Sequence, residues 1–159
     1  MPKSGKKDEG LFATNRKALR DYAILETHEV GIELKGTEIK SIRQHRVSLD
    51  DSFARIDEGE LFLYNMHVSP YEQGNVFNVE PMRVRKLLMH RREVQRLIGL
   101  LSQKQVALVP LRLYQHRGLA KVELAVGKGR RTYEKRDRIQ ERETDRELRR
   151  MLRTQQKRG

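Results

Sequence analysis

The 159-residue sequence predicts a mainly β protein: a small, partly closed antiparallel β-barrel flanked by two or three short helices, with a polar tail at each end. Three observations carry this expectation. Two long stretches alternate apolar and polar residues on either side of a glycine-containing turn, which is the mark of hairpins. Helical spacing is clear in only two places. Apolar residues are 36% of the chain against 35% charged, enough for a compact core and no more.

Taken in order, residues 1–13 (MPKSGKKDEGLFA) are polar and rich in Lys and Gly, and read as a flexible start. DYAILETHEVGIEL (21–34) reads as a strand, bent or bulged near Gly31. GTEIKSIRQHR (36–46) switches to helical spacing, with Thr37 as cap, Glu38 in the first turn where the helix dipole favours it, and Ile39 and Ile42 on one face. SFARIDEGELFLYNMHV (52–68) is a hairpin in which Phe53–Ile56 and Leu61–Tyr64 flank Asp57-Glu58-Gly59. SPYEQGNVFNVEP (69–81) has loop chemistry. HRREVQRLIGLLSQKQ (90–105) is amphipathic, with Val94, Leu97, Ile98 and Leu101 at i, i+3, i+4 and i+7. VALVPLRLYQHRGLAKVELAVG (106–127) is the second hairpin, turning at Arg117-Gly118, and Pro110 has to sit at an edge or a bulge. Nothing repeats internally. The expected organisation is a flexible 1–13, a barrel over 14–126 and a basic tail over 127–159.

The tail is a helix candidate without a core-facing side. Over 132–159 the apolar residues are Tyr133, Ile139, Leu148, Met151 and Leu152. Spacings such as Glu134–Arg138 and Asp145–Arg149 are each worth only about 0.2–0.5 kcal/mol, and like-charge spacings such as Glu143–Glu147 and Arg142–Arg146 offset them. Alone it is expected to be mostly unfolded; against a wall of phosphates it can become helical.

The charge balance points to the partner. Lys and Arg number 34 against 22 Asp and Glu, a net of +12. Residues 127–159 hold 13 basic and 6 acidic side chains, so this fifth of the chain carries +7 of the excess. Such a distribution suits a polyanion. No apolar run approaches a spanning helix, the tail's apolar positions are too sparse for a membrane-surface helix, and no basic-then-apolar leader opens the sequence. A cytoplasmic protein is expected. Cysteine is absent, which excludes disulfides and thiolate chemistry. The histidines, His28, His45, His67, His90 and His116, share no two-ligand spacing, so no metal site is expected. There is no P-loop and no GxSxG, and the Asp50–Asp51 pair is explained by a turn or a cap. Neither an enzyme nor a cofactor is expected. Aromatics are only 6%, so contact with the backbone and shape of a folded RNA is better supplied than a stacking platform. Among the basic stretches, RVRK (83–86) reads equally well as a solvated edge strand protected by charge.

Several motifs, in order, carry a family resemblance. NRKALRDY (15–22) followed by GIELKGTEIKSIR (31–43), PMRVRKLLMHRREVQRL (81–97), VPLRLY (109–114), KVELAVGKGRRTYEKR (121–136) and the Arg/Glu-rich end resemble the SsrA-binding protein (SmpB) family of bacterial trans-translation, from about residue 14 onward. The resemblance implies an oligonucleotide-binding-type barrel, and a tail disordered in the free protein. It implies a monomer when free that binds the tRNA-like domain of tmRNA and enters stalled ribosomes, standing where anticodon arm and codon would be.

Carried over residue by residue, the family's tmRNA-contacting surface maps to Asn15, Glu29, Leu88, His90 and Lys121. Read alone, Asn15 is a strand start, Glu29 a surface charge and Leu88, within KLLM, a core leucine. His90 stands where other members often carry Asn, and Lys121, alternating with Val122, should point off the barrel toward phosphate. The family's tail motif GKKxxDKR falls on Gly129–Arg136, with Glu134 in place of the usual Asp. Tyr133 takes the position of a ring that stacks on a decoding-centre base, worth roughly 1–3 kcal/mol. Lys128, Arg130 and Arg131 would meet ribosomal RNA, with Lys135 and Arg136 completing the motif; composition alone reads the run as a solvated charged end. The alternatives are a ribosomal or ribosome-assembly RNA-binding protein, an RNA-acting enzyme and a membrane-surface protein.

Overall fold

The structure is a computed structural model that describes residues 10–74, 78–103, 105–130 and 150. The expected conformation of the tail, and with it Arg131, Tyr133, Glu134, Lys135 and Arg136, lies outside the described residues. The chain divides into two compact units, Met1–Gly129 and Arg130–Gly159.

The first unit runs β1 (Leu11–Thr14), α1 (Arg16–Asp21), β2 (Tyr22–Ile32), α2 (Gly36–Arg43), β3 (Val47–Ser48), β4 (Phe53–Asp57), β5 (Glu60–Tyr64), β6 (His67–Val68), β7 (Arg85–Leu88), α3 (Arg91–Gln103), β8 (Ala107–His116) and β9 (Leu119–Gly129). The main sheet has the order β1-β8-β4-β5-β7-β2-β9, and β8 also pairs with β9. That last pairing turns six of the strands into a ring. It is only partly closed, because β4 meets β8 at the single pair Ala54–Leu108. A separate β3–β6 pair lies beside it.

Both expected hairpins are present. β4 and β5 join through Glu58-Gly59 (φ +50° and +77°), and β8 and β9 through Arg117-Gly118 (φ +53° and +77°). Positive φ at both central residues is the two-residue turn whose twist matches its strands. Pro110 sits at a bulge, where the β8–β9 register shifts between Pro110 and Arg112. The missing N–H of proline thus falls where the ladder is already broken.

Alternation places Val30, Leu61, Leu63, Leu87, Leu108, Leu113, Val122 and Leu124 inside the ring, with Leu97 of α3 and Ile42 of α2 closing it. A second small cluster, Ala18, Val109, Leu111 and Ala125, packs α1 on the outside of β8 and β9. This explains the apolar run Leu124–Val126, which is buried on both faces.

Several expectations are corrected. The irregularity in β2 lies between Ile24 and Glu26, not at Gly31, and leaves Leu25 exposed. The N-cap of α2 is Lys35, not Thr37, and its backbone N–H donates to the carboxylate of Glu38 at 2.8 Å. Of the two isoleucines of α2 only Ile42 is in the core; Ile39 is exposed. β1 begins inside the stretch expected to be flexible, and α1 had no apolar periodicity to announce it. The RVRK stretch is not an edge: β7 lies between β5 and β2, and Arg85 points inward with no exposed surface. Its charge is met there. Arg85 donates from Nε to Glu38 at 2.7 Å and from its terminal nitrogens to the carbonyls of Met66, Arg83 and Pro81 at 2.6, 2.9 and 3.1 Å.

Candidate nucleic-acid interface

One groove collects two of the sequence-predicted residues. Gly31 of β2 lies opposite Leu88 of β7 on one side and Lys121 of β9 on the other. Lys121 in turn faces Tyr114 of β8. Period-2 alternation in β7 sends Arg85 and Leu87 inward, and therefore Leu88 outward, where it is 47% exposed. The reading of Leu88 as a core leucine is thus overturned; Leu87 holds that place. Lys121 is half-buried, and its partner in alternation, Val122, is in the core. Together with Phe12, Ile39, Arg43 and Leu119 these two side chains line a cavity of about 260 Å³.

Glu29 stands at the end of this region. Its Oε1 lies 2.7 Å from Nδ1 of His116, just before the β8–β9 turn. Burial works against its charge, but the His116 bond and the charges of His116 and Lys121 outweigh it, and its carboxyl titrates below the usual value. Tyr114 itself is buried, and burial together with the Glu29 and Glu123 carboxylates pushes its phenol up. Glu123 is held by Arg112 at 2.7 Å.

His90 follows two residues after Leu88. Its carbonyl accepts the Val94 N–H at 3.0 Å, so it caps α3 through its backbone, and its ring is exposed. Asn15 is elsewhere. It is 2% exposed, caps α1 by accepting from the Ala18 N–H at 3.1 Å, and donates to the Pro110 carbonyl at 2.9 Å. Its own N–H donates to Leu111 at 2.7 Å, so the residue fills the bulge of β8 and offers little to a ligand directly. It borders a larger cleft of about 580 Å³ between α1 and β4, whose polar rim includes the Lys17–Asp51 ion pair. Lys128 is exposed on β9 opposite Ala23, and Arg130 follows the strand's end.

The reading of the sequence missed Gly31, Arg43, His116 and Leu119 as groove neighbours. The signal for two of them was present: His116 and Leu119 flank a recognised turn and had to face each other. Among the described residues no group of three or more His, Asp or Glu is placed to hold a metal ion. No helix among them is long and apolar enough to cross a membrane.

Comparison with known proteins gives concordant results. The family described as SmpB protein matches residues 12–154. An SsrA-binding protein of Caldicellulosiruptor bescii is 56% identical over 150 residues, spanning 94% of this chain and 95% of that protein. One from Bacillus subtilis is 55% identical over 157 residues, 99% of each. A chain of the solved structure described as "tmRNA-SmpB: a journey to the center of the bacterial ribosome" superposes with a TM-score of 0.63 at 52% identity, covering 77% of this chain and 86% of that one.

Proposed function

The chain belongs to the SmpB protein family, and from that premise we propose that it is a non-enzymatic, cytoplasmic RNA-binding adaptor that binds the tRNA-like domain of tmRNA and carries it to stalled ribosomes. The observation that carries this reading is identity of 55% extending over 157 residues, barrel and basic tail alike, with an SsrA-binding protein. The barrel face around Leu88, His90 and Lys121, with Glu29 beside it, takes the RNA. Asn15 contributes by shaping the α1 start and the β8 bulge. The tail, with Arg130, Arg131, Tyr133, Glu134, Lys135 and Arg136, reaches the decoding centre and the empty mRNA channel, and Lys128, at the end of β9 just before it, meets the same RNA. Charge supplies the logic: an RNA-walled channel without mRNA attracts a segment of net +7, and one filled with mRNA excludes it.

A gel shift at physiological salt tests the adaptor reading. Binding to the tRNA-like half of tmRNA is expected to exceed binding to an arbitrary hairpin of matched length by at least tenfold; equal affinity would sink it, and stoichiometric co-sedimentation with ribosomes lacking tmRNA would favour a ribosomal component. The tail is tested by truncation after Gly129, where β9 ends. Cutting after Val126 would remove Gly127, Lys128 and Gly129, which pair with Ile24, Ala23 and Tyr22. The truncated chain is expected to bind tmRNA and to lose peptide tagging on stalled ribosomes; persistent tagging would overturn the tail's role.

A further inference from the structure

Just past the C-terminus of α2, where the chain meets the turn that follows β6, lies a surface of another character. A depression of about 370 Å³ is lined there, among the described residues, by Gln44, Arg46, Tyr71, Glu72 and Gln73. Hydrogen-bonding groups make up this lining, with one ring among them. The turn that forms its wall is tied down from several sides. The Tyr71 carbonyl accepts the Gly74 N–H and the Asn78 side-chain amide, both at 2.8 Å, and the Tyr71 N–H donates to the Asn78 side-chain oxygen at 2.9 Å. Gly74 is buried against α2, where a Cβ would stand 3.0 Å from Cγ2 of Thr37. The Tyr71 hydroxyl donates to Oε1 of Gln73 at 2.9 Å, and Lys40 of α2 holds its ammonium 5.3 Å from the Tyr71 ring centroid. On the other wall the Arg46 carbonyl accepts the Ser69 N–H at 3.0 Å, and its guanidinium lies 3.4 Å from Glu72. An exposed polar turn bonded in this way presents its amides already ordered, which lowers the cost of binding. Lys40 and Arg43, three residues apart on α2, are exposed and form no ion pair among the described residues.

We propose that this surface grips the wide minor groove of a double-helical RNA stem, with the carboxamides of Gln44 and Gln73 bonding ribose 2′-hydroxyls and Lys40, Arg43 and Arg46 meeting the phosphates beside them. A carboxamide both donates and accepts, as a 2′-hydroxyl does. Neutral amides set among cations match the alternation of ribose and phosphate along an RNA strand. Glu72, the one carboxylate in the lining, is paired with Arg46 and can accept from a hydroxyl in its turn. An unpaired base would need apolar walls or a free ring, and the one ring here is shared with Lys40. A helical peptide would need an apolar groove, which this lining does not supply. The stem is assigned to the tRNA-like domain by continuity, because Gln44 directly follows Arg43, which lines the neighbouring groove on the barrel face. The assignment rests on the RNA-binding reading above and adds to it a second contact surface, its residues and the class of RNA element it takes.

The test uses the full chain and tRNA-like domains whose stems carry 2′-deoxyribose in short blocks, one block at a time. One block is expected to weaken binding roughly three- to tenfold, the net worth of one or two hydrogen bonds. In the double variant Gln44→Ala/Gln73→Ala, both exposed positions, the same block should cost almost nothing further, because amide and hydroxyl act as one contact. Lys40→Gln should lower the slope of log affinity against log salt by about one. If no block weakens binding, if the block costs the double variant as much as the native chain, or if Lys40→Gln leaves the salt slope unchanged, the stem contact is wrong while the adaptor reading stands. Unchanged affinity of the double variant for the tRNA-like domain, with peptide tagging on stalled ribosomes lost, would give the surface to ribosomal RNA and overturn the assignment too. Failure of the native chain to prefer this RNA over a matched hairpin would remove both readings.

Discussion

Glu38 and Arg85, 47 residues apart in the chain, meet inside the barrel wall with the Arg85 Nε 2.7 Å from the Glu38 carboxylate. Their side chains are 2% and 0% exposed. The same carboxylate accepts from the Lys35 N–H and from Arg83 at 2.8 and 2.6 Å. One acid therefore ties the start of α2 to β7, the two elements that carry Arg43 and Leu88. Removing it leaves a buried guanidinium without a counter-charge. Glu38→Ala should cost about 3–5 kcal/mol of stability, read from urea unfolding, whereas replacing both residues with apolar ones of similar volume should cost much less.

The same acid gives the protein an acid limit. Burial alone would raise the Glu38 carboxyl, but Arg83, the Lys35 amide and Arg85 outweigh burial and hold it below its ordinary value. A carboxyl depressed by folding stabilises the fold above its unfolded value, and that contribution is lost as pH falls through the folded one. Urea midpoints should hold steady from neutral pH down to about the unfolded carboxylate value of ~4.3, then fall. In the doubly apolar variant the Glu38 part of that fall should be absent, leaving the slope due to Glu26 and Glu29, which are depressed too.

Asn15 is expected to matter for stability and hardly at all as a direct RNA contact. Asn15→Ala removes the α1 cap and the donor to the Pro110 carbonyl, for a loss of about 2 kcal/mol in thermal or urea unfolding. Asn15→Asp keeps the capping oxygen and should lose less. At a temperature where both variants are folded, their affinity for the tRNA-like domain should stay within about twofold of the native chain; a tenfold drop without unfolding would return Asn15 to the interface.

Glu29 is a negative charge beside a cationic groove, so its contribution to RNA binding is expected to be selectivity. Glu29→Gln removes the negative charge beside His116 and strengthens the positive potential around Lys121. Binding to an arbitrary hairpin should rise a few-fold while preference for tmRNA falls. Lys121→Ala should weaken all RNAs alike and lower the salt slope by about one.

The Tyr22 ring lies over the end of β9, and Gly127 makes room for it: a Cβ there would stand 3.0 Å from the Tyr22 Cβ and 3.3 Å from its ring. Gly127→Ala should destabilise the barrel by about 1–3 kcal/mol. In a Tyr22→Ala background the same change should cost clearly less, a coupling that a double-mutant cycle in urea would measure.

What the sequence disclosed follows from which forces are local. Turn chemistry at Glu58-Gly59 and Arg117-Gly118, the bulge demanded by Pro110 and the helical spacing of Val94 and Leu97 are all written in neighbouring residues. The burial of Arg85 is not: nothing beside it in RVRK reveals a carboxylate far away in the chain, so the run reads as surface. Leu88 was misread for a related reason, since KLLM gives no phase until β7 is known to alternate. The identity of the α2 cap was obscured because Thr37 has the better capping side chain, whereas Lys35 contributes only its backbone. Of the candidate site, Leu88 and Lys121 came from family motifs, while Arg43 and Leu119 became visible only when α2 and the β8–β9 turn were seen to share one groove.

The pairing of β9 on both edges has a mechanical consequence. Residues Lys121–Gly129 are laddered to β2, and Leu119–Gly127 to β8. The tail is continuous with this doubly held strand. Tension applied along it would load two rows of backbone hydrogen bonds in parallel, in shear, instead of peeling a free edge one bond at a time. A pull on the tail while the groove side of the barrel is anchored would be borne by a strand held along both of its edges.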